Sequence, residues 1–493
     1  MSTASRVALV FQVLALSSRL TSATLPTLSA TDVQTVIEHT AASVNAPMAI
    51  AVTDRQGNIL AVFLKPGVSP TSKANFGMTA DTYEVAIALA RTASFFSNSQ
   101  APLSSRTVRY ISGIHFPPGI MFTGNAALYG IENTNRGCGF NTTFIPGQAV
   151  PPARSIDGSK PGLGILTGKA DLNDSDPAAV NPGGVPLFKN GILVGGVGVA
   201  GVDPNVAEFA AASGEAGFGP IVAPPGVVII NGIALPFVNQ KTIPAGYKPG
   251  SATGGYIFPP RSSPGPAPEG DLVAPQAGKA GGLTKDDVQK IINNTVATGN
   301  ITRAVIRLPL GTRAKFAIAV ADLDGTLLAL HRMPDATVFS IDVAVAKSRN
   351  VVFFSGTHRT PGDLQGVPMG TAVTNRTISF GAQPFYPPGI DYSTPGPFFT
   401  LYQYDTLHPC TQGSQAANKN QNGIVFFPGA LPLYKNGILV GGLGVSGDGV
   451  DQDDFATAGG AVGFAAPASI QADTVFDQGV RLPYLKFPRN PTD

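Results

Sequence analysis

The sequence predicts an α/β (α+β) protein of two homologous units, each a mostly antiparallel β-sheet flanked by helices. Three observations carry this. Two apolar runs flanking Asn-Gly occur twice, at residues 185–199 and 431–445, and each reads as a β-hairpin. An Asp-x-x-Gly hairpin pattern and a capped helix start also occur twice, in the same order. Strands joined by turns this tight pair antiparallel, and self-similarity on this scale sets the architecture before any local reading does. A chain duplicated in this way can set its halves about a pseudo-twofold axis, imitating a homodimer.

Taken in order, residues 28–37 and 283–292 open the two units. Ser29 and Thr284 stand at N-cap positions, with Asp32, Asp286 and Asp287 placed to suit the helix dipole. Val33, Val36 and Ile37 recur at i, i+3 and i+4, the spacing of an amphipathic helix. Residues 48–62 and 316–330 read as strand, Asp-x-x-Gly turn, strand. Residues 83–96 and 341–354 are rich in alanine and valine and end in Phe-Phe-Ser. Their length suits a helix against the sheet, although valine-rich runs leave the type open.

A long irregular stretch follows in each unit, with Pro117-Pro118-Gly119-Ile120 matching Pro387-Pro388-Gly389-Ile390. Loops of this length in a compact unit are usually functional or assembly-forming. The Asn-Gly hairpin comes next, and its second strand turns glycine-rich, which predicts a bulge or a close approach by a backbone or a ligand. An alanine-rich helix marked by Phe209 and Phe455 closes the repeat, and a short extension, 232–237 or 479–484, is shared by both units. Residues 241–282, dense in Pro, Gly and Ser, read as a linker or arm. The expected division is therefore 1–25, a first unit over 26–240, the linker over 241–282, and a second unit over 283–493.

Composition narrows the classes. The 493 residues exceed what one core holds, and hydrophobic residues at 43% are enough to fill two. Lys+Arg 33 against Asp+Glu 31 gives no basic bias, which argues against nucleic-acid binding. Arg6 precedes an apolar run from Val7 to Leu16, too short for a membrane span. That pattern reads as a signal peptide over residues 1–25 and predicts a periplasmic or extracellular protein. Cys138 and Cys410, one per unit, could then pair and clip the halves together; otherwise they are unpaired thiols in loops.

The second unit carries a family resemblance. Asp322-Leu323-Asp324-Gly325, His331-Arg332-Met333-Pro334-Asp335-Ala336, Ala344-Val345-Ala346-Lys347 and 441–447 follow one another in an order that resembles the GlcG/HbpS-like haem-binding family. The first unit matches more loosely: it has Phe63-Leu64-Lys65 where the second has His331-Arg332-Met333, and Ala200 where the second has Ser446. It reads as a degenerate copy. The resemblance implies an antiparallel sheet flanked by helices, assembly into oligomers, and haem or a related tetrapyrrole as ligand for some members.

Candidate site residues follow from these segments. His331 and Met333 offer an imidazole and a thioether, both of which ligate haem iron in cytochromes. His358, past the end of the Lys347 helix, is a second candidate ligand, and Arg332 and Lys347 are carried over from the family's motifs. His115 and His408 lie in irregular stretches with nothing to select them. The absence of C-x-x-C-H argues against covalently attached haem. The two G-x-G-x-x-G matches, at 196–201 and 442–447, continue the strand of a hairpin, not the strand-to-helix turn a dinucleotide site needs. Asp448, Asp451, Asp453 and Asp454 could hold a hard cation, or could cap the following helix and offset its dipole.

These features predict an exported, non-catalytic ligand-binding protein with haem as the first candidate ligand. The alternatives are an assembly protein that oligomerises through its Gly/Pro-rich loops, and an enzyme acting on a small metabolite. The enzyme reading has no nucleophile–base pair or metal triad in the sequence to support it.

Overall fold

The computed structural model describes residues 25–74, 79–108, 163–166, 182–230, 233–383, 385–388, 390, 393–408 and 411–493. Cys138, Cys410, His115 and nearly all of the N-terminal segment expected to direct export lie outside them.

The first unit runs α1 (Ala30–Ser43), β1 (Ala49–Asp54), β2 (Ile59–Leu64), a small hairpin of β3 (Thr71–Lys73) and β4 (Thr79–Asp81), α2 (Thr82–Phe96) and the short α3 (Ser105–Val108). The repeated hairpin β5 (Gly184–Lys189) and β6 (Ile192–Ala200), α4 (Pro204–Gly214) and the pair β7 (Ile229–Ile230) and β8 (Ile233–Ala234) complete it. Residues 241–282 carry β9 (Gly255–Phe258) and β10 (Gly270–Val273). The second unit repeats the plan with α5 (Lys285–Ile301), β11 (Ala317–Ala321), β12 (Leu327–Arg332), α6 (Phe339–Ser355), α7 (Asn375–Gly381) and α8 (Phe399–Leu407). It ends with β13 (Ala430–Lys435), β14 (Ile438–Ser446), α9 (Val450–Gly460) and the pair β15 (Phe476–Asp477) and β16 (Val480–Arg481).

Local chemistry fixes these elements. Ser29 and Thr284 each form a reciprocal capping box, with Asp32 and Asp287 respectively. The hairpin turns place Asn190 and Gly191 at φ 52° and 75°, and Asn436 and Gly437 at φ 52° and 79°, as a type I′ turn requires. The apolar face of α1, including Val33, Val36 and Ile37, is buried against the sheet.

The two sheets have corresponding orders, β5-β6-β1-β2-β9 and β13-β14-β11-β12-β10, with antiparallel pairing throughout. The stretch between the units thus does more than connect: it supplies one edge strand to each sheet. Helices α1 and α4 cover one face of the first sheet and α2 the other; α5 and α9 cover one face of the second and α6 the other.

The glycine-rich strand ends serve a helix backbone. A Cβ on Gly198 would stand 2.0 Å from the carbonyl oxygen of Ala86, and one on Gly444 would stand 2.1 Å from that of Ala344. Removing the side chains lets α2 and α6 lie directly on their strands. The G-x-G-x-x-G stretches therefore sit largely within β6 and β14 under a helix, and no phosphate-binding turn forms there.

All 17 residues of α6 are buried, a helix enclosed on every side. On its outer side it meets the first unit. The rings of Phe96 and Phe339 stack with centroids 4.0 Å apart, Val338 N–H donates to Phe95 O at 3.0 Å, and the Asn98 side chain donates to Ile306 O at 2.9 Å. One hydrophobic cluster runs from Phe95, Phe96 and Leu103 into Val338, Phe339 and Ala344. Each large apolar side chain buried here contributes about 1.5–3 kcal/mol.

Candidate functional site

His331 sits near the end of β12, opposite Ile318 on β11 and Asp271 on β10. Its Nδ1 lies 2.6 Å from the Asp271 carboxylate. That contact fixes the ring and leaves Nε2 as the nitrogen for a ligand, the arrangement by which a carboxylate orients a metal-bound histidine. His331 and Asp271 form one wall of a groove of about 360 Å³, whose other wall is α5 with Ile292, Asn293, Val296 and Asn300. Asp271 lies in the stretch read from sequence as linker. The only signal for it was Asp-Leu-Val, a brief β-favouring run among prolines and glycines.

The equivalent cross-strand position in the first unit holds Phe63 opposite Tyr256, ring edge to face at 5.1 Å. The two sheets are thus closed at the same place by different chemistry, an aromatic pair in one and an imidazole–carboxylate pair in the other. Nothing in the fold itself demands the polar version.

The other candidates do not gather around His331. Met333 is on the same face but buried, its sulfur accepting the Phe316 N–H at 3.4 Å, so it is a core residue. Arg332 points to the opposite face, as period-two alternation requires. It is fully buried and donates to Ala336 O and, at 2.8 Å, to Pro268 O, tying the inter-unit stretch to the turn after β12. Burial first, and the neighbouring Arg55 charge second, push its pKa down to about 9.

Beyond Arg332, Asp335 adopts φ 62° and receives Arg55 at 2.7 Å, Arg307 at 2.8 Å and the Ser99 hydroxyl at 2.9 Å. Burial opposes its ionisation, but the two guanidinium groups outweigh it and hold the carboxyl well below its usual range. This is a clamp between units, since Arg55 and Ser99 belong to the first. His358 is exposed past the C-terminus of α6. The 17-residue helix between it and the β12 end is about 25 Å long, so the two histidines stand at opposite ends of the unit. His408 stacks on Tyr404 at 3.9 Å, exposed.

Lys347 is fully buried inside the sheet–helix layer on the α6 side. Its ammonium donates to Val445 O at 2.8 Å and Asp453 Oδ2 at 2.9 Å, and lies 4.4 Å from the Phe427 ring centre. Burial lowers the Lys347 pKa against the pull of Asp453, and burial raises Asp453 to about 7 against the pull of Lys347. The rest of the acid run is ion-paired as well. Asp448 accepts from Arg307 at 2.5 Å, Asp454 from Arg376 at 2.5 Å, and Asp451 from Arg376 at 2.6 Å. Protein cations occupy these aspartates, and the α9 N-cap is Gly449 with no side-chain cap; Asp451 and Asp453 do stand in the first turn of α9, where their charge suits the helix dipole. Among the described residues no cluster of His, Cys, Asp and Glu is arranged to hold a metal ion.

The duplication shows what the buried pair replaces. A Cβ at Gly429 would meet Asp453 Cβ at 2.6 Å and Lys347 Nζ at 2.7 Å; at the equivalent Gly183 it would meet Ala207 Cβ at 3.1 Å and Leu89 Cδ1 at 3.3 Å. The first unit therefore fills the Lys347–Asp453 site with leucine and alanine. It keeps the neighbouring ion pair, Arg106 with Glu208 at 2.7 Å, in the place of Arg376 with Asp454.

Against known proteins, the family model described as "Haem degrading protein HbpS-like" matches residues 26–214 and 283–461. The chain is 26% identical over 153 residues to the corrinoid adenosyltransferase PduO of Salmonella typhimurium, a match covering 31% of this chain and 33% of that enzyme, so it spans about a third of the relative's length. Among solved structures, a PduOC–haem complex is similar at 20% identity over 37% of this chain and 94% of that one, with a TM-score of 0.24. The Klebsiella pneumoniae protein ORFY is similar at 18% identity over 36% and 88%, also with a TM-score of 0.24. With the two matched regions taking in most of its length, the chain belongs to the HbpS-like family, carried here as two tandem copies.

Proposed function

We propose that the protein is an exported ligand-binding protein that takes haem or a related tetrapyrrole in its second unit, with His331 as the iron ligand. The observation that carries this is the His331–Asp271 pair on the wall of the α5 groove, set against the Phe63–Tyr256 pair at the equivalent place in the first unit. The donor set suits the group: an oriented imidazole for iron, Ile292, Val296 and Ala297 for the apolar ring, and Gln289, Asn293 and Asn300 for its carboxylates. Bound there, haem would supply a redox-active iron. The protein's part is to hold the ring through His331, keep that imidazole oriented through Asp271, and shield one face with α5. Family membership supports the choice of ligand. One site per chain follows, because Phe63 has no ligating atom.

Titration of the full chain with hemin tests this. The expected result is a shifted Soret band saturating at one haem per chain, lost in His331→Ala and weakened about 10–100-fold in Asp271→Asn. No Soret shift for the unaltered protein, or full binding by His331→Ala, refutes the assignment.

A further inference from the structure

A second site stands apart from the His331 groove and shares no residue with it. A cavity of about 380 Å³ lies where the units meet, roofed by Ile229 and Ile230 of the first unit and floored by Phe339 and Phe427 of the second. Arg303, Lys486 and Arg489 line it too, and Asp453 reaches it from below. Lys486 is bridged to Asp451 at 3.0 Å, whereas Arg303 and Arg489 form no carboxylate bridge among the described residues. Arg303 is held in place by donating to Arg489 O at 3.0 Å.

Three observations make this a built site. Asp453 is 2% exposed, and its Oδ1 has no hydrogen-bond partner among the described residues, an arrangement that costs stability unless something else bonds it. The Lys347–Asp453 pair behind it is dispensable for the fold, since Leu89 and Ala207 occupy the same place in the first unit. A buried ion pair that a sister unit replaces with apolar side chains is retained against its desolvation cost. Finally, Ile229, Ile230, Lys486 and Arg489 all lie outside the stretches matched by the family model, so the match to the family does not account for this part of the lining.

We propose that this cavity binds a small hydroxycarboxylate with an apolar body, one per chain. The carboxylate meets the Arg303 and Arg489 guanidinium groups, the body lies between Ile230, Phe339 and Phe427, and the hydroxyl bonds Asp453 Oδ1. A hydroxyl both donates and accepts, so it satisfies that oxygen in either protonation state. The volume is at the lower end for pockets that enclose a drug-sized molecule, well suited to one ring or a branched chain.

Calorimetric titration of the full chain with 3-phenyllactate and with 2-hydroxyisocaproate tests it. At least one should bind saturably at one site. The hydroxyl-free analogue of that ligand should bind about tenfold more weakly, for loss of one hydrogen bond to a charged group. Its methyl ester should also weaken, as should the full acid with Arg303→Gln/Arg489→Gln, whose side chains are outside the core. Lys347→Leu/Asp453→Ala, which copies Leu89 and Ala207 of the first unit and removes the bonding oxygen, should abolish the preference for the hydroxyl acid, and the rim variant decides the matter if that buried change prevents folding. No saturable binding of either acid up to about 10 mM, or equal binding by the rim variant, overturns the proposal. His331→Ala should leave acid binding intact and the rim variant should leave the Soret titration intact. Competition between hemin and the acid would overturn the independence of the two sites.

Discussion

Replacing Lys347 by leucine copies one half of the first unit's solution into the second. The change leaves the Asp453 carboxyl 2% exposed with its Oδ2 partner removed and its Oδ1 already unpaired. Breaking a buried pair from one side typically costs about 3–5 kcal/mol. The double variant Lys347→Leu/Asp453→Ala instead reproduces Leu89 and Ala207, and it should recover most of that loss. The single variant also acquires a pH signature. Burial already holds Asp453 at about 7, above its ordinary 3.8, and removing the ammonium that opposes this shift moves it higher still. An acid with a raised folded-state pKa is stabilising when protonated. Stability is therefore fully present below about pH 4 and is lost, at up to about 1.4 kcal/mol per pH unit, as pH rises through the folded value. Urea unfolding of wild type, single and double variants at pH 5 and pH 8 measures this. The single variant should be weakest at pH 8 and closer to wild type at pH 5, with the double variant changing less between the two values than the single one. A single variant as stable as wild type at pH 8, or a double variant no better than the single one, refutes the account.

Two further predictions concern the fold. Gly444→Ala places a Cβ 2.1 Å from the Ala344 carbonyl oxygen, so α6 must lift from its strand; a loss of about 1–3 kcal/mol or more should appear as a lowered melting temperature, with Gly198→Ala behaving alike on α2. Glu215 is pushed up to about 7 by burial, and its Oε1 has no partner among the described residues, so its contribution is present below the ordinary 4.5 and lost as pH rises through 7. Glu215→Gln should therefore gain up to a few kcal/mol at pH 8 relative to pH 4, measured by thermal melts at both values.

Much of the fold could be read from short-range chemistry. Ser29 with Asp32, Thr284 with Asp287, and the two Asn-Gly turns each declare themselves within four residues, because caps and tight turns are local devices. The face assignment of the candidate site was half legible. Strand alternation alone separates His331 and Met333 from Arg332, but it does not say that Met333 is sealed beneath Phe316 and Gly299. Asp271 was illegible because an edge strand needs only one hydrogen-bonded side, and so tolerates the Pro- and Gly-rich context that reads as linker. The acid run 448–454 misled for a different reason. Its partners, Arg307, Lys347 and Arg376, lie 75 to 141 residues away, and no local pattern signals a buried ion pair of that span.

The edge strands taken from residues 241–282 bear on how the two halves can be handled separately. A fragment beginning at Leu283 would lose β10, and with it Asp271 and the backbone partners of Leu330, His331 and Arg332. Its sheet would then end on an open, unpaired β12, the kind of edge that recruits other chains into aggregates. A fragment ending before Gly255 would expose β2 in the same way. Any piece of the second half that keeps its histidine oriented and its sheet edge paired therefore starts upstream of Gly270, inside what the repeat alone would mark as dispensable.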